Sequence, residues 1–287
     1  MDDYKEDDLA FFHKMKAEKD EEWKEMLIRL EKRGASIVNL YEDGEIPNLK
    51  EECANEIPRL AVYPVRKGKR GCIIICAGGA FIFKSFNEAE PVADYFYEKG
   101  FQTAILDYRL QPYTVHDSAE DGHRAIAYLR EHAGEYGIDP FHIAIGGFSA
   151  GGMLSNLAAV TYQNAEERPD AVFLGYGAFS EILNVGRLGF DFEKQRELAR
   201  NSADVLLHPD CPPYFMFQTT FDDPRNIANM QIRLTEMGIP FEAHTFSGGF
   251  HGNGLYDGKN RVENQPHTAH WAELFAEWLE QNGFVKE

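Results

Sequence analysis

Cysteine is scarce in this chain of 287 residues: there are four, Cys53, Cys72, Cys76 and Cys211. Their spacing matches no zinc pattern, and Cys72 and Cys76 lie four apart on one apolar run, too far along a strand to pair. Buried free thiols in a reducing compartment are expected. Basic residues are also outnumbered, 29 Lys and Arg against 47 Asp and Glu, for a formal charge of −18. Nucleic acid and anionic membrane repel such a surface, so neither is expected as a partner. No apolar run approaches the ~18 residues of a membrane span. The opening MDDYKEDDLAFF is acidic where a secretory leader is basic. A soluble, cytoplasmic protein is the expectation. Neither H-E-x-x-H nor a Walker loop occurs, so no metal and no cofactor are expected.

What is present is a globular chain, 44% hydrophobic, with strands and helices in alternation. Residues 1–34 form a charged helical arm. Trp23, Met26, Leu27 and Leu30 fall at i, i+3, i+4 and i+7, and Gly34 stops the helix. Such an arm packs on the domain as a surface helix, or it covers an active-site mouth or a dimer partner. Two short strands, 36–41 and 59–65, open residues 35–287. Strands at 72–76, 103–106, 142–145, 172–174, 214–218 and 241–246 then alternate with helices at 89–99, 117–132, 153–162, 225–237 and from 271 onward. That rhythm implies an α/β fold, a mostly parallel sheet of about eight strands with helices on both faces. The span 176–212 has no clear strand and could hold a small cap.

The most informative segment is His142-Ile-Ala-Ile-Gly-Gly-Phe-Ser-Ala-Gly-Gly152, a strand entering G-x-S-x-G ahead of a helix. In that setting Ser149 sits on a strained turn that exposes its hydroxyl at the carboxyl end of a sheet. A serine hydroxyl needs a base, and the base needs an orienting acid. His251, in Ser247-Gly-Gly-Phe-His-Gly252 after the last strand, is the candidate base. Thr219-Thr-Phe-Asp-Asp-Pro224 supplies the acid; Asp223 is favoured over Asp222, with the neighbour left to solvent or to capping the next helix. The order Ser, Asp, His is that of α/β-hydrolases. An oxyanion hole requires preorganised N–H donors. Ala150 at the start of the following helix, and Gly79 and Ala80 in the loop Ala77-Gly-Gly-Ala-Phe81, are the candidates.

These residues resemble the α/β-hydrolase esterases related to hormone-sensitive lipase and to acetyl-xylan-esterase-like acetylesterases. The resemblance covers roughly residues 60–282. It rests on Gly147–Gly152, Asp107-Tyr-Arg-Leu110, Tyr136-Gly-Ile-Asp-Pro140, and Cys211-Pro-Pro213 leading to an Asp-Asp pair. It departs from the family in the oxyanion loop, where Ala77 stands in place of His or Pro and Ala80 in place of a third glycine. Pro224-Arg-Asn226 also replaces the usual Val-Val-Pro after the acid. The resemblance implies an α/β-hydrolase fold and a cofactor-free serine esterase, a carboxylic ester hydrolase taking a small-molecule ester with a short acyl group, such as acetylated sugars. Phe81, Phe83 and Tyr113 are candidates for shaping its pocket, with a packed-core role equally open. A serine peptidase on the related scaffold, or a catalytically silent hydrolase fold used as a binding module, are the competing readings. Whether copies associate into a homo-oligomer stays open.

Overall fold

The computed structural model describes residues 6–42, 45–53, 57–180, 193, 202–260 and 262–285. Eight strands form one sheet: β1 (Ser36–Asn39), β2 (Arg59–Val62), β3 (Arg70–Cys76), β4 (Gln102–Asp107), β5 (Ile138–Phe148), β6 (Ala171–Gly175), β7 (Tyr214–Thr219) and β8 (Phe241–Phe246). Their order is β1-β2-β4-β3-β5-β6-β7-β8. β2 runs antiparallel to both neighbours, and β4 through β8 are joined by parallel ladders. The chain leaves β3 for β4 on one side and then crosses to β5 on the other. The reversal opens a crevice beyond the carboxyl ends of β3 and β5, where α/β sheets bind ligands.

The expected strands are present, with ends moved by identifiable causes. β2 stops before Pro64, which has no N–H to give to a ladder. β5 begins at Ile138, well before its apolar run, because Ile138 pairs with Arg70. A register shift between Arg70 and Cys72 accommodates Pro140 there.

The helices are α1 (Glu6–Lys32), α2 (Glu90–Glu98), α3 (Val115–Glu131), α4 (Ala133–Tyr136), α5 (Ala150–Thr161), α6 (Ala203–Leu206), α7 (Arg225–Met237), α8 (Pro266–Ala269) and α9 (Trp271–Gln281). β3 shows why they need both faces of the sheet. Ile73 and Ile75 join a core with Trp23, Phe96, Trp271 and Phe275, while Cys72, Ile74 and Cys76 join one with Ile126, Leu129 and Leu154. Side chains that alternate along a fully buried strand demand cover above and below. Cys53, Cys72, Cys76 and Cys211 are all buried.

The apolar stripe of α1 is buried: Trp23, Met26, Leu27 and Leu30 all join the first of these cores. Each such side chain contributes about 1.5–3 kcal/mol on burial. Ion pairs add to this hold. Arg29 and Arg33 grip the buried carboxylate of Glu90, and Arg33 also binds Asp94 at 2.8 Å. The arm is thus packed on the domain. Most of the span 176–212 suspected of forming a cap, residues 181–192 and 194–201, lies outside the described residues.

Candidate active site

Ser149 occupies the single residue between β5 and α5, with φ 50° and ψ −119°. That is a costly conformation for a residue with a Cβ, on the order of 1–3 kcal/mol. The turn tolerates it because the neighbouring chains are locked together. The Ser149 N–H donates to the Gly175 carbonyl at 3.0 Å. A Cβ at Gly147 would lie 1.9 Å from the Cys76 carbonyl oxygen, so β3 and β5 can approach this closely only with glycine there.

Two other loops reach this turn. The one after β8 brings His251 Nε2 to 2.9 Å from Ser149 Oγ. The one after β7 brings Asp222 Oδ1 to 2.8 Å from His251 Nδ1. The serine hydroxyl can therefore donate to Nε2 while Nδ1–H donates to the carboxylate. The hydrogen bond to Asp222 raises the His251 pKa above its ordinary value; burial opposes this, and the charges of Asp222 and Glu88 add to the rise. The imidazole and the Tyr176 ring pack at a steep angle, centroids 5.2 Å apart.

The favoured aspartate is not the one that reaches the imidazole. Asp223 Oδ1 accepts from the Arg225 guanidinium at 2.8 Å and from the Arg225 N–H, the first of α7, at 3.1 Å. Asp222, one residue earlier, points the other way, toward the site. Both carboxylates follow the same strand, so composition could not separate them. The turn did, by giving Asp223 the helix terminus and a cation.

The loop after β3 is held on all sides. The Gly78 N–H donates to Glu88 Oε2 and the Gly78 carbonyl accepts from Ser85 N–H. The Ala77 carbonyl accepts from Tyr108 OH at 2.6 Å. Lys84, at the end of the loop, donates to the carboxylate of Asp107 and to the Tyr108 carbonyl. Asp107 also accepts from Trp23 Nε1 and Arg59. Burial works against its charge, but Lys84 and Arg59 outweigh that and hold its pKa below the ordinary carboxylate value. Among the described residues nothing accepts from the N–H groups of Gly79, Ala80 or Ala150. Gly79, Ala80 and Phe81 all have positive φ, so the loop turns back sharply at this point.

The Asp107-Tyr-Arg-Leu110 segment is thereby explained as support. Tyr108 and Asp107 brace the loop, and Arg109 is fully buried against Asp121. Desolvation lifts the Asp121 pKa to about 6 although Arg109 opposes the rise. Of the aromatics expected near a pocket, Phe81 is half-buried edge-on to Tyr108, and Phe83 is half-buried with its carbonyl against Gly79. Of the two roles open to it, Tyr113 takes the packed one. It is 4% exposed, its hydroxyl accepts from Lys50 N–H, and its ring lies under the Arg109 guanidinium. Packing consumes it.

Sequence reasoning missed Glu88, Tyr176, Phe221 and Phe250. Glu88 stands in a charged stretch, Glu88-Ala-Glu90, that reads as solvent-facing. Phe221 and Phe250 lie in the loops of Asp222 and His251, are 59% and 43% exposed, and have ring centroids 5.3 Å apart. Their adjacency to Asp222 and His251 in sequence was the available signal. Two cavities, of about 410 and 440 Å³, lie on either side of α1, and neither is lined by Ser149. The described residues contain no group of three His, Cys, Asp or Glu able to hold a metal, and no helix long and apolar enough to cross a membrane.

A family model described as BD-FAE matches residues 60–181. Endo-1,4-beta-xylanase B of Butyrivibrio fibrisolvens is 29% identical over 219 residues, 68% of this chain and 34% of that protein. The probable carboxylic ester hydrolase LipM of Mycobacterium tuberculosis is 37% identical over 102 residues, 32% of this chain and 24% of the relative. The chain thus spans about a third or less of the length of these two relatives. Among solved structures, the acetyl ester-xyloside bifunctional hydrolase of Caldicellulosiruptor lactoaceticus superposes with a TM-score of 0.73 at 27% identity, covering 87% of this chain and 97% of that one.

Proposed function

We propose that this chain, which belongs to the α/β-hydrolase family, is a serine carboxylic-ester hydrolase acting on short-acyl esters, acetyl esters of sugars among them. The observation that carries the proposal is the unbroken line from Asp222 through His251 to Ser149, with both hydrogen bonds at 2.8–2.9 Å. Three residues far apart in sequence converge in the geometry that proton transfer from a hydroxyl requires.

In this reading His251 takes the Ser149 proton as Oγ attacks the ester carbonyl. Asp222 fixes the tautomer and stabilises the imidazolium. The negative charge that develops on the carbonyl oxygen is met by the free N–H groups of Ala150, Gly79 and Ala80. His251 then returns its proton to the leaving alcohol, and an acyl-serine remains. Water, activated by the same imidazole, releases the acid and restores the serine. The acetyl preference is supported by the similar structure called an acetyl ester-xyloside hydrolase, and the sugar context by that name and by the similar protein called a xylanase. The exposed Phe221–Phe250 pair, next in sequence to Asp222 and His251, offers apolar surface for the alcohol part of such a substrate.

The test is p-nitrophenyl acetate hydrolysis together with fluorophosphonate labelling. Wild type should turn over the ester and become labelled at Ser149. Ser149→Ala should lose label and all but about 10⁻⁴ of the rate, with its fold unchanged by circular dichroism. Full activity in that variant removes the proposal. A panel of acetyl to octanoyl esters, acetylated xylo-oligosaccharides and fluorogenic dipeptides separates the esterase from a peptidase.

A further inference from the structure

Glu88 is a carboxylic acid sealed inside the protein, 1% exposed, and the triad chemistry gives it no task. Both of its oxygens are engaged. Oε2 accepts from the Gly78 N–H at 2.8 Å, and Oε1 accepts from the Tyr176 hydroxyl at 2.7 Å. The Tyr176 hydroxyl in turn accepts from the Gly254 N–H at 2.8 Å. The line Gly78, Glu88, Tyr176, Gly254 therefore joins the loop of the oxyanion donors to the loop of the base. It runs directly beneath the nucleophile. A Cβ built on Gly78 would stand 2.7 Å from Glu88 Oε2 and 2.9 Å from Ser149 Cβ. A second contact closes the same gap: Asn87, the residue before Glu88, donates its amide to the Gly252 carbonyl at 2.6 Å.

We propose that Glu88 is a positioning residue that fixes the oxyanion loop and the His251 loop relative to each other and to Ser149. The proposal rests on the esterase reading above and deepens it. The peptide between Ala77 and Gly78 is clamped at its carbonyl by Tyr108 and at its N–H by Glu88. With that unit immobilised, the next two N–H groups cannot swing away as charge develops on the substrate, which is the requirement for preorganised stabilisation. On the other side, the Tyr176 ring packs against His251 at a steep angle while its hydroxyl holds the chain three residues further on.

A buried carboxyl here is costly, and burial pushes its pKa up; the bonds from Tyr176 and Gly78 and the nearby imidazole pull it back. Such a group is tolerated when its oxygens are satisfied, and both are. The groups facing it are Gly78 N–H, Tyr176 OH and, at longer range, His251, Tyr108 and Tyr256. His251 is faced by Asp222, Glu88, Ser149 and the Tyr176 ring.

The experiment compares wild type, Glu88→Gln and Tyr176→Phe. Each is titrated for active serine with a fluorophosphonate, and kcat per titrated site, KM and the pH dependence of kcat/KM for p-nitrophenyl acetate are then measured. Glutamine keeps the size but offers one acceptor where two N–H or O–H donors need one each. In Glu88→Gln, kcat per site should fall about tenfold to a hundredfold, a fraction of the ~10²–10³ lost with an oxyanion donor, while KM moves less than threefold. Both oxygens of Glu88 accept hydrogen bonds, as a carboxylate's do, so in Glu88→Gln the imidazolium loses a facing negative charge and the acid limb should move to lower pH. Tyr176→Phe should show a smaller fall in kcat. A lowered Tm with unchanged kcat per titrated serine in these variants means a purely structural role and overturns the inference. An acid limb that stays in place in Glu88→Gln removes the coupling to His251. If Glu88→Gln does not fold, Tyr176→Phe alone decides, by the same kcat criterion. A wild type that neither turns over the ester nor takes the fluorophosphonate label refutes the esterase reading instead, so the two failures are told apart.

Discussion

Two loops close on Ser149, and they are built in opposite ways. The loop after β3 is fixed by buried groups: Tyr108 at Ala77, Glu88 at Gly78, and Lys84 on the buried carboxylate of Asp107. The loop after β8 carries an imidazole whose side chain is 44% exposed. It is held mainly through its backbone, by Thr220 at Gly248, Tyr256 at Phe250, Asn87 at Gly252, and Tyr176 and Trp271 at Gly254. The contrast follows from their tasks in the proposed reaction. Donors to an oxyanion must not reorganise during the reaction, so their loop is clamped. A base that passes protons to an alcohol and takes them from water must stay accessible, and only its direction needs fixing.

The sharpest break in that contrast is at the acid. Asp222→Asn should lower kcat by about 10⁴, as loss of the orienting carboxylate does in such triads, whereas Asp223→Asn should stay within about threefold of wild type. Steady-state kinetics on both variants, side by side, decides which aspartate serves His251. Equal losses would undo the assignment made from geometry.

The clamped loop is tested at Gly79, whose φ is +134° and where a Cβ would lie 2.0 Å from the Phe83 carbonyl oxygen. Gly79→Val should force the loop open and lower kcat by about 10²–10³ while a fluorophosphonate still labels Ser149, because the nucleophile and base are untouched. Labelling lost together with turnover would mean that the two loops are not separable.

The exposed loop is sharpened by pH. The reaction needs neutral His251, and its folded pKa is raised chiefly by the hydrogen bond to Asp222. Activity should rise with pH through that raised pKa. On acidification it should begin to fall above the ~6.5 of an unperturbed imidazole, reaching tenfold per pH unit below the midpoint. A kcat/KM profile with its midpoint below that value would contradict the direction. The smallest effect is expected at the rim. Phe250→Ala and Phe221→Ala should raise KM for an aryl or sugar ester severalfold with kcat nearly constant, since binding that is equal in ground and transition states appears in KM. A change confined to kcat would place these rings in the chemistry instead.

The strand-and-helix rhythm of residues 60–282 was legible because buried parallel strands are apolar runs and their helices carry 3.6-residue stripes. The α1 stripe at Trp23, Met26, Leu27 and Leu30 was legible for the same reason, though what it packs against was not. Ser149 and His251 were legible because glycine-rich loops mark where the backbone must turn hard or approach closely. Tyr113 was left between pocket and packed core, since an aromatic near such a loop looks alike in sequence whether it faces solvent or an arginine; only the fold set it against Arg109.

By itself the sequence determined the alternation that makes the sheet, the elbow that carries Ser149 and the loop that carries His251, since each is written in local patterns of apolar, glycine and turn residues. The tertiary structure alone set Asp222 rather than Asp223 against His251, buried Glu88 beneath Ser149, and made Asp107 a brace for the loop beside it. Those outcomes depend on which partner stands within about 3 Å of a carboxylate, a distance set by chains far apart in sequence. A carboxylate bears the same charge in solvent, at a helix terminus or under an active site, so its role is fixed only by what surrounds it.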